Sequence, residues 1–431
     1  MNKKQIFIIG LMTFALFFGA GNVIFPPFIG YEAGVNLPYA IAGFITTGVF
    51  IPLMAVVSAS MVNGDLNTLS NRAGKLFGSV FPFIIYLAIG PLFIIPRSAS
   101  VTYTMGIKPL IGDDFKLMIL ATFIYFVISG YLALSQGKMV SIIGKVITPL
   151  LIITICIIVI KSIVSPLGSL TPPNELYSQS PYFKGFVEGF LTMDALGALV
   201  IANILVVTFN SYSITSKKEI VKYSLYAAVI ASILLSIIYA ALSYVGGVYG
   251  GDGGFTNGGD LLASAAYSMF GKGGSYLLSI VIALACLSTS IGVTSASSRF
   301  FSSRFKSLSY KKWVIIITII SFVISNIGLD ALISITVPVL TIIYPATIVV
   351  IVLGFFESLL SDTKYVYKVA VYSAFIISLI NTMDSLSIRI PFLTDVFRVL
   401  PLYNVSLSWI IPTTLFTVLT LLVEKTTRKI K

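Results

Sequence analysis

The 431-residue sequence contains no histidine, two cysteines and only 10% charged residues. Without histidine, His-dependent intramembrane proteolysis, His-ligated zinc sites and histidine proton relays are closed to it. Cys156 and Cys286 each lie within an apolar run, so they read as packing residues and supply no disulfide framework. The scarcity of charge excludes more. A soluble domain carries about 25% charged and about 45–50% apolar residues, whereas this chain is 57% hydrophobic with a mean hydropathy of +1.00. Too few charges remain to cover a water-facing surface, and a soluble enzyme is ruled out. At about 20 residues per membrane-crossing helix, the hydrophobic content sets a ceiling near twelve spans. The composition is that of a polytopic membrane protein.

Apolar runs separated by polar or Gly/Pro breaks predict spans at 5–29, 38–62, 78–107, 117–135, 140–164, 184–209, 221–246, 274–297, 312–328, 330–355, 366–383 and 402–423. Only Gly328-Leu329 separates the ninth from the tenth. The first run follows Lys3 and Lys4 and reaches the small residues Gly19-Ala20-Gly21, as a cleaved leader would. Hydrophobicity resumes at once in Val23-Ile24-Phe25, so it is read as a span.

The formal charge of +12 follows from where the basic residues fall. With the N-terminus inside, 20 of the 28 Lys and Arg lie on the inner side, including Lys217, Lys218, Lys222, the group from Arg299 to Lys312 and the tail from Lys425 to Lys431. Seven fall outside (Lys108, Lys116, Lys161, Lys184, Lys272, Arg389 and Arg398), and Arg97 alone lies deep within a span, the others keeping to loops and span ends. This positive-inside bias places both termini in the cytoplasm. The basic loops need no nucleic acid to explain them.

Two spans are interrupted. The first carries Gly19-Ala20-Gly21-Asn22 and then Pro26-Pro27, where the glycines weaken the helix and the proline pair is expected to end it. The sixth carries Gly189-Phe190-Leu191-Thr192-Met193-Asp194, with a carboxylate inside an apolar run. A charge there costs about 2.5–3.5 kcal/mol on insertion scales unless it faces a polar cavity or a partner. Five spans begin with the first and five with the sixth, so the second unit runs through the membrane in the opposite sense. Interrupted helices at corresponding places in inverted halves point to a secondary-transporter site. Half-helix N-termini offer N–H groups to anions and unwound carbonyls face cations, which suits an amino acid zwitterion. The candidate substrate residues are Gly19, Ala20, Gly21, Asn22, Phe190, Thr192, Met193 and Asp194.

Four segments carry a resemblance: Gly-Ala-Gly-Asn-Val-Ile-Phe-Pro-Pro at 19–27, Gly-Pro-Leu-Phe-Ile-Ile-Pro-Arg-Ser-Ala-Ser-Val at 90–101, Gly-Lys-Val-Ile-Thr-Pro-Leu-Leu at 144–151 and Leu-Thr-Met-Asp-Ala-Leu-Gly at 191–197. The chain resembles the bacterial branched-chain amino acid carrier family, from its first span to its last. The resemblance implies an all-α LeuT-like fold of twelve helices with a 5+5 inverted repeat, and cation-coupled uptake of leucine, isoleucine and valine at the cell membrane. On this reading residues 1–165 form the first repeat, 166–183 an extracellular linker, 184–356 the second repeat, and 357–431 two further helices with a basic tail. The LeuT-like comparison also implies a coupling-ion site between the first and eighth helices, formed by carbonyls of Ala15, Phe18 and Ala285 and the hydroxyls of Ser288 and Thr289. Ala285, Ser288 and Thr289 share one helix face. The bland alternative is that the hydroxyls bond back to a carbonyl one turn earlier. Sodium is the expected ion, and Asp194 leaves proton coupling open.

Asp194 reads either as part of the substrate or cation environment or as the cap of the second half-helix. Arg97, after Pro96, reads as an ion-pair partner or gate, or as a structural residue that snorkels or satisfies carbonyls freed by Pro96. Tyr103 is a candidate gate closing over the substrate. The glycine-rich stretch 246–259 leads to a short outer helix near 259–270, and Asp113-Asp114 reads as a solvated turn. None of the Gly-Lys pairs at 74–75, 137–138, 144–145 and 271–272 is followed by Ser or Thr, so a Walker A loop is missing. No ATP, no organic cofactor and no metal beyond the monovalent cation is expected.

Overall fold

The computed structural model describes residues 1–134, 148–250, 253–360 and 363–430. Residues 140–147 of the fifth predicted span, the Gly144–Ile147 part of one motif, Gly251 of the glycine-rich stretch and Lys431 lie outside the described residues. The described residues are helical, with no strand among them.

The principal helices are α1 (Lys3–Phe17), α2 (Ala20–Ala33), α3 (Leu37–Ile45), α4 (Ile51–Ser60), α5 (Lys75–Leu87), α6 (Ile94–Val101), α7 (Phe115–Leu134), α8 (Thr148–Val164) and α9 (Pro181–Glu188). They continue with α10 (Asp194–Ser211), α11 (Lys217–Tyr249), α12 (Gly258–Phe270), α13 (Lys272–Arg304), α14 (Tyr310–Ser325), α15 (Leu329–Phe355), α16 (Val366–Ser385) and α17 (Ile410–Ile430). Among the described residues, nine helical runs are long and apolar enough to cross a membrane. Only 6% of the apolar Ile410–Thr427 run is buried within the protein. An apolar surface left so bare is one that lipid covers.

The sequence boundaries hold for most spans, with three differences. Pro26 and Pro27 do not end the first span, because α2 continues through them to Ala33. Proline inside a membrane helix frees the carbonyls four residues earlier, and neighbouring helices can compensate. Here the freed carbonyls are those of Asn22 and Val23, and α11 packs one turn further on, where a Cβ added at Gly246 would lie 1.9 Å from the Pro27 carbonyl oxygen. Second, the 38–62 and 78–107 spans are not uniform helices. A π-helical turn at Thr46–Phe50 separates α3 from α4, and π-helical turns at Ala88–Leu92 and Thr102–Ile107 flank α6. Third, the last span begins at Ile410, not 402, because Leu402 and Ser406 adopt left-handed backbone around a single turn at Tyr403–Val405. The break between the ninth and tenth spans falls where expected, at Gly328 with φ +92°.

Two groups of helices frame the centre. In one, α2 packs along α11, α3 against α9, and α4 against α10. In the other, α13 packs on α6, α7 and α14. The two groups meet through α1 against α13 and α2 against α6.

Candidate functional site

In an unbroken first helix the Gly19 N–H would bond to the Ala15 carbonyl. Instead Phe18 turns to extended backbone (φ −71°, ψ 96°), and the Gly19 N–H donates to Asn22 Oδ1 at 2.9 Å. The carbonyls of Ala15, Leu16 and Phe17 therefore lose their helical partners. Thr289 on α13 faces this break, with its hydroxyl 3.4 Å from the Phe18 carbonyl oxygen. One residue earlier, Ser288 donates to the Ala285 carbonyl at 2.8 Å. Ala15, Phe18, Ala285, Ser288 and Thr289 are all buried. The back-bond from Ser288 is the bland alternative, and it is present. It does not disqualify the oxygen, since a donating hydroxyl keeps lone pairs for a cation.

At the second break, α9 gives way to a 3-10 turn at Gly189–Thr192, and Met193 adopts left-handed backbone at φ 63°. A bulky residue held there is strained and persists only where its surroundings fix it; Met193 is fully buried. Helix α10 starts at Asp194, and the structure corrects the capping reading, since the Asp194 carboxylate takes none of the helix's first N–H groups and other side chains accept them. The Asp194 N–H donates to Thr192 Oγ1 at 3.3 Å and the Ala195 N–H to the Tyr344 hydroxyl at 3.2 Å. The carboxylate of Asp194 instead accepts from Asn22 Nδ2 and from the Tyr239 hydroxyl, both at 2.7 Å. Asn22 Nδ2 also contacts the Tyr239 hydroxyl. One amide thus ties the two breaks together across 172 residues of sequence. Phe190 stacks on the Tyr344 ring at 4.6 Å.

Arg97 is 3% exposed, so it does not snorkel. The carbonyls it satisfies are not those freed by Pro96 but those of the second break, Leu191 from Nη1 at 2.6 Å and Thr192 from Nη2 at 3.3 Å. Its guanidinium carbon also lies 5.4 Å from the Phe25 ring centre. Gly19, Ala20, Gly21, Asn22, Thr192, Met193 and Asp194 join Arg97 and Thr289 around one cavity of about 20 Å³, room for a single water. Phe190 and Tyr103 are not among its lining residues. Tyr103 instead points its hydroxyl to the Asp114 carbonyl at 3.0 Å. Asp113 pairs with Lys108 at 3.1 Å.

Leu16 lines this cavity and also a larger one of about 370 Å³, bordered by Asp65, Asn67, Asn203 and Arg299. The larger cavity lies at the end of the molecule that carries the Arg299–Lys312 basic group. At the other end α12 forms as expected, capped by Asn257, whose Nδ2 also reaches Asp330 at 3.1 Å. Sequence reasoning missed Tyr239 and Tyr344. They are two of 22 tyrosines in no recognisable motif, and only the fold gives them a task, Tyr239 at the Asp194 carboxylate and Tyr344 at the Ala195 N–H.

The family profile described as "Branched-chain amino acid transport protein" matches residues 2–427. The branched-chain amino acid permease BrnQ of Bacillus subtilis (strain 168) is 41% identical over 96% of this chain and 96% of its own. The branched-chain amino acid transport system 2 carrier protein of Pseudomonas aeruginosa is 38% identical over 97% of this chain and 95% of its own. Among solved structures, a nucleobase-cation-symport-1 family transporter with bromovinylhydantoin bound superposes with a TM-score of 0.63 at 14% identity, covering 98% of this chain and 92% of that one. MhsT in complex with L-phenylalanine gives 0.55 at 15% identity, covering 90% and 99%. These two share the LeuT-like fold with the present chain.

Proposed function

The chain belongs to the branched-chain amino acid transport protein family, and from that premise we propose that it imports leucine, isoleucine and valine by alternating access, driven by a cation gradient. It is a multi-pass membrane transporter of branched-chain amino acids, not an enzyme. Sodium is the proposed ion, with both termini cytoplasmic in the cell membrane of a bacterium. Residues 1–165 and 184–356 are proposed as inverted repeats joined by the outer linker 166–183, with 357–431 adding two helices and the tail.

The observation that carries this reading is the meeting of the first break with α13. There the buried Thr289 hydroxyl reaches the Phe18 carbonyl, with the buried Ser288 hydroxyl one residue away on the same helix, and a hard monovalent cation binds oxygen donors of this kind. The proposed cation ligands are the carbonyls of Ala15, Phe18 and Ala285 and the hydroxyls of Ser288 and Thr289. The proposed substrate site lies beside it, at Gly19–Asn22 and at Phe190, Thr192, Met193 and Asp194. A cavity of about 20 Å³ must widen to take a leucine, so binding is coupled to movement of the segments around the breaks. One methylene is worth only about 1–3 kcal/mol in an apolar pocket, so the three aliphatic substrates are separated poorly.

The test is leucine counterflow in proteoliposomes with sodium and pH varied independently. Stimulation by sodium at constant pH is the expected result. Stimulation by a proton gradient without sodium would move the coupling to protons and leave Asp194 as the candidate carrier. The nucleobase transporter shares only the fold, at 14% identity, and uracil counterflow under the same conditions is expected to be nil.

A further inference from the structure

Arg97 is a buried cation without a buried anion. Among the described residues no carboxylate lies within the 4.0 Å of an ion pair from its guanidinium. The nearby carboxylate, Asp194, shares the cavity wall but is engaged by Asn22 and Tyr239. Two of the guanidinium nitrogens hold carbonyls of the second break, while Nε–H has no hydrogen-bond partner at all. An unpaired charge and an unmade bond in the same buried group are each costly. An anion entering from outside would remove both costs.

The surroundings define where that anion would lie. A Cβ at Gly21 would fall 2.7 Å from Arg97 Nη2, so only the missing side chain lets the guanidinium approach the first turn of α2 this closely. The first turn of a helix presents N–H groups without helical partners. Arg97 and the residues of that first turn line one cavity. On its other side Arg97 occupies the Leu191 and Thr192 carbonyls, which are the acceptors that an ammonium group would need.

We propose that Arg97 is the substrate-carboxylate receptor and that, in the substrate-free carrier, it holds the two carbonyls which the substrate ammonium takes over. This rests on the reading of the protein as a leucine, isoleucine and valine carrier and deepens it. Binding is then an exchange. The guanidinium releases a carbonyl of the second break and turns its donors, Nε–H included, onto the incoming carboxylate. The ammonium takes the released oxygen. A ligand with only one of the two charges completes half of the exchange, so the carrier selects zwitterions.

The test uses the full chain in proteoliposomes, with leucine counterflow measured against leucinol, which keeps the ammonium and lacks the carboxylate, and against 4-methylpentanoate, which is the reverse. In the unsubstituted protein both analogues are expected to compete about 100-fold more weakly than leucine. In Arg97→Gln, leucine is expected to weaken by about 10- to 100-fold while leucinol changes less than about 3-fold, so the preference for the carboxylate collapses. Arg97→Lys is expected to recover part of that preference, since it restores the charge without the planar fork. Leucinol competing as well as leucine in the unsubstituted protein would overturn the proposal, and that arm needs no variant to fold. An unchanged leucine-to-leucinol ratio in an active Arg97→Gln would overturn it too. Failure of leucine counterflow in the unsubstituted protein, by contrast, would count against the carrier reading itself.

Discussion

Asn22 is the residue on which the site turns. Its amide oxygen accepts the N–H that the first helix gives up, and its amide nitrogen donates to the carboxylate that opens α10. A carboxylate can only accept, so it suits two facing donors, the Asn22 amide and the Tyr239 hydroxyl. Asp194→Asn replaces one acceptor oxygen by a donor and is expected to abolish leucine accumulation; normal uptake by this variant would show that the charge is not needed. Tyr239→Phe removes one of the two bonds and is expected to lower the uptake rate by about 10-fold or more, in keeping with the worth of a hydrogen bond to a charged group. At the proposed cation site, Ser288→Ala and Thr289→Ala are each expected to raise the half-saturating sodium concentration by about 10-fold. Leucine affinity at saturating sodium should change by less than about 3-fold. Unchanged sodium dependence in both variants would remove the site.

Helix continuity is decided one level up. Pro26 and Pro27 carry a local signal to stop, and the helix runs on to Ala33 because α11 lies close enough to make continuation the packed state. That approach depends on glycine on both helices. A Cβ at Gly30 would fall 1.8 Å from the Ser243 carbonyl oxygen, and nothing lies within 4 Å of one at Gly273. Gly30→Ala is therefore expected to destabilise the detergent-solubilised protein by about 1–3 kcal/mol, the usual cost of overpacking. Gly273→Ala should be neutral or slightly stabilising, because alanine is the better helix former. Thermal unfolding followed by loss of monodispersity separates the two, and equal behaviour would show that α2 and α11 do not depend on this contact. Of the π-helical turns that flank α6, the first carries its own local signal in Gly90-Pro91, with Gly90 at a non-helical ψ of −114°, whereas the second, Thr102–Ile107, has no proline to mark it. A π-helical turn inserts one residue into the helical repeat, and hydropathy alone does not register that insertion.

At the scale of the whole molecule, the cavities make the molecule asymmetric. The space at the breaks is about 20 Å³, and the larger cavity that adjoins it, about 370 Å³, lies at the basic end with Leu16 shared between them, while a cavity of about 720 Å³ at the opposite end, beside Lys108, Asp260 and Lys272, shares no lining residue with either. On the proposed topology that end is cytoplasmic, so the space at the breaks adjoins the inward side. Asn203 is exposed and lines the larger cavity. With Cys156 and Cys286 replaced by alanine, Asn203→Cys is expected to react with a membrane-impermeant maleimide in inside-out vesicles and to be protected in right-side-out cells. The opposite pattern would invert the topology.

Much of this was legible in the chain itself. Ten per cent charge without histidine dictates a membrane protein, because apolar surface on that scale is stable only in lipid, and the positions of Lys and Arg set its expected orientation. Gly19–Asn22 and Phe190–Asp194 announced the two breaks, since glycine and a carboxylate weaken a membrane helix whatever surrounds them. The partners were not legible. Arg97 carries the same sequence signal whether it meets Pro96's freed carbonyls, the lipid headgroups or Leu191 and Thr192. Tyr239 and Tyr344 carry no signal at all. Cost is local and can be read from residue type. Compensation comes from groups far apart in sequence, and only the packing of one helical group against the other decides which of them meet.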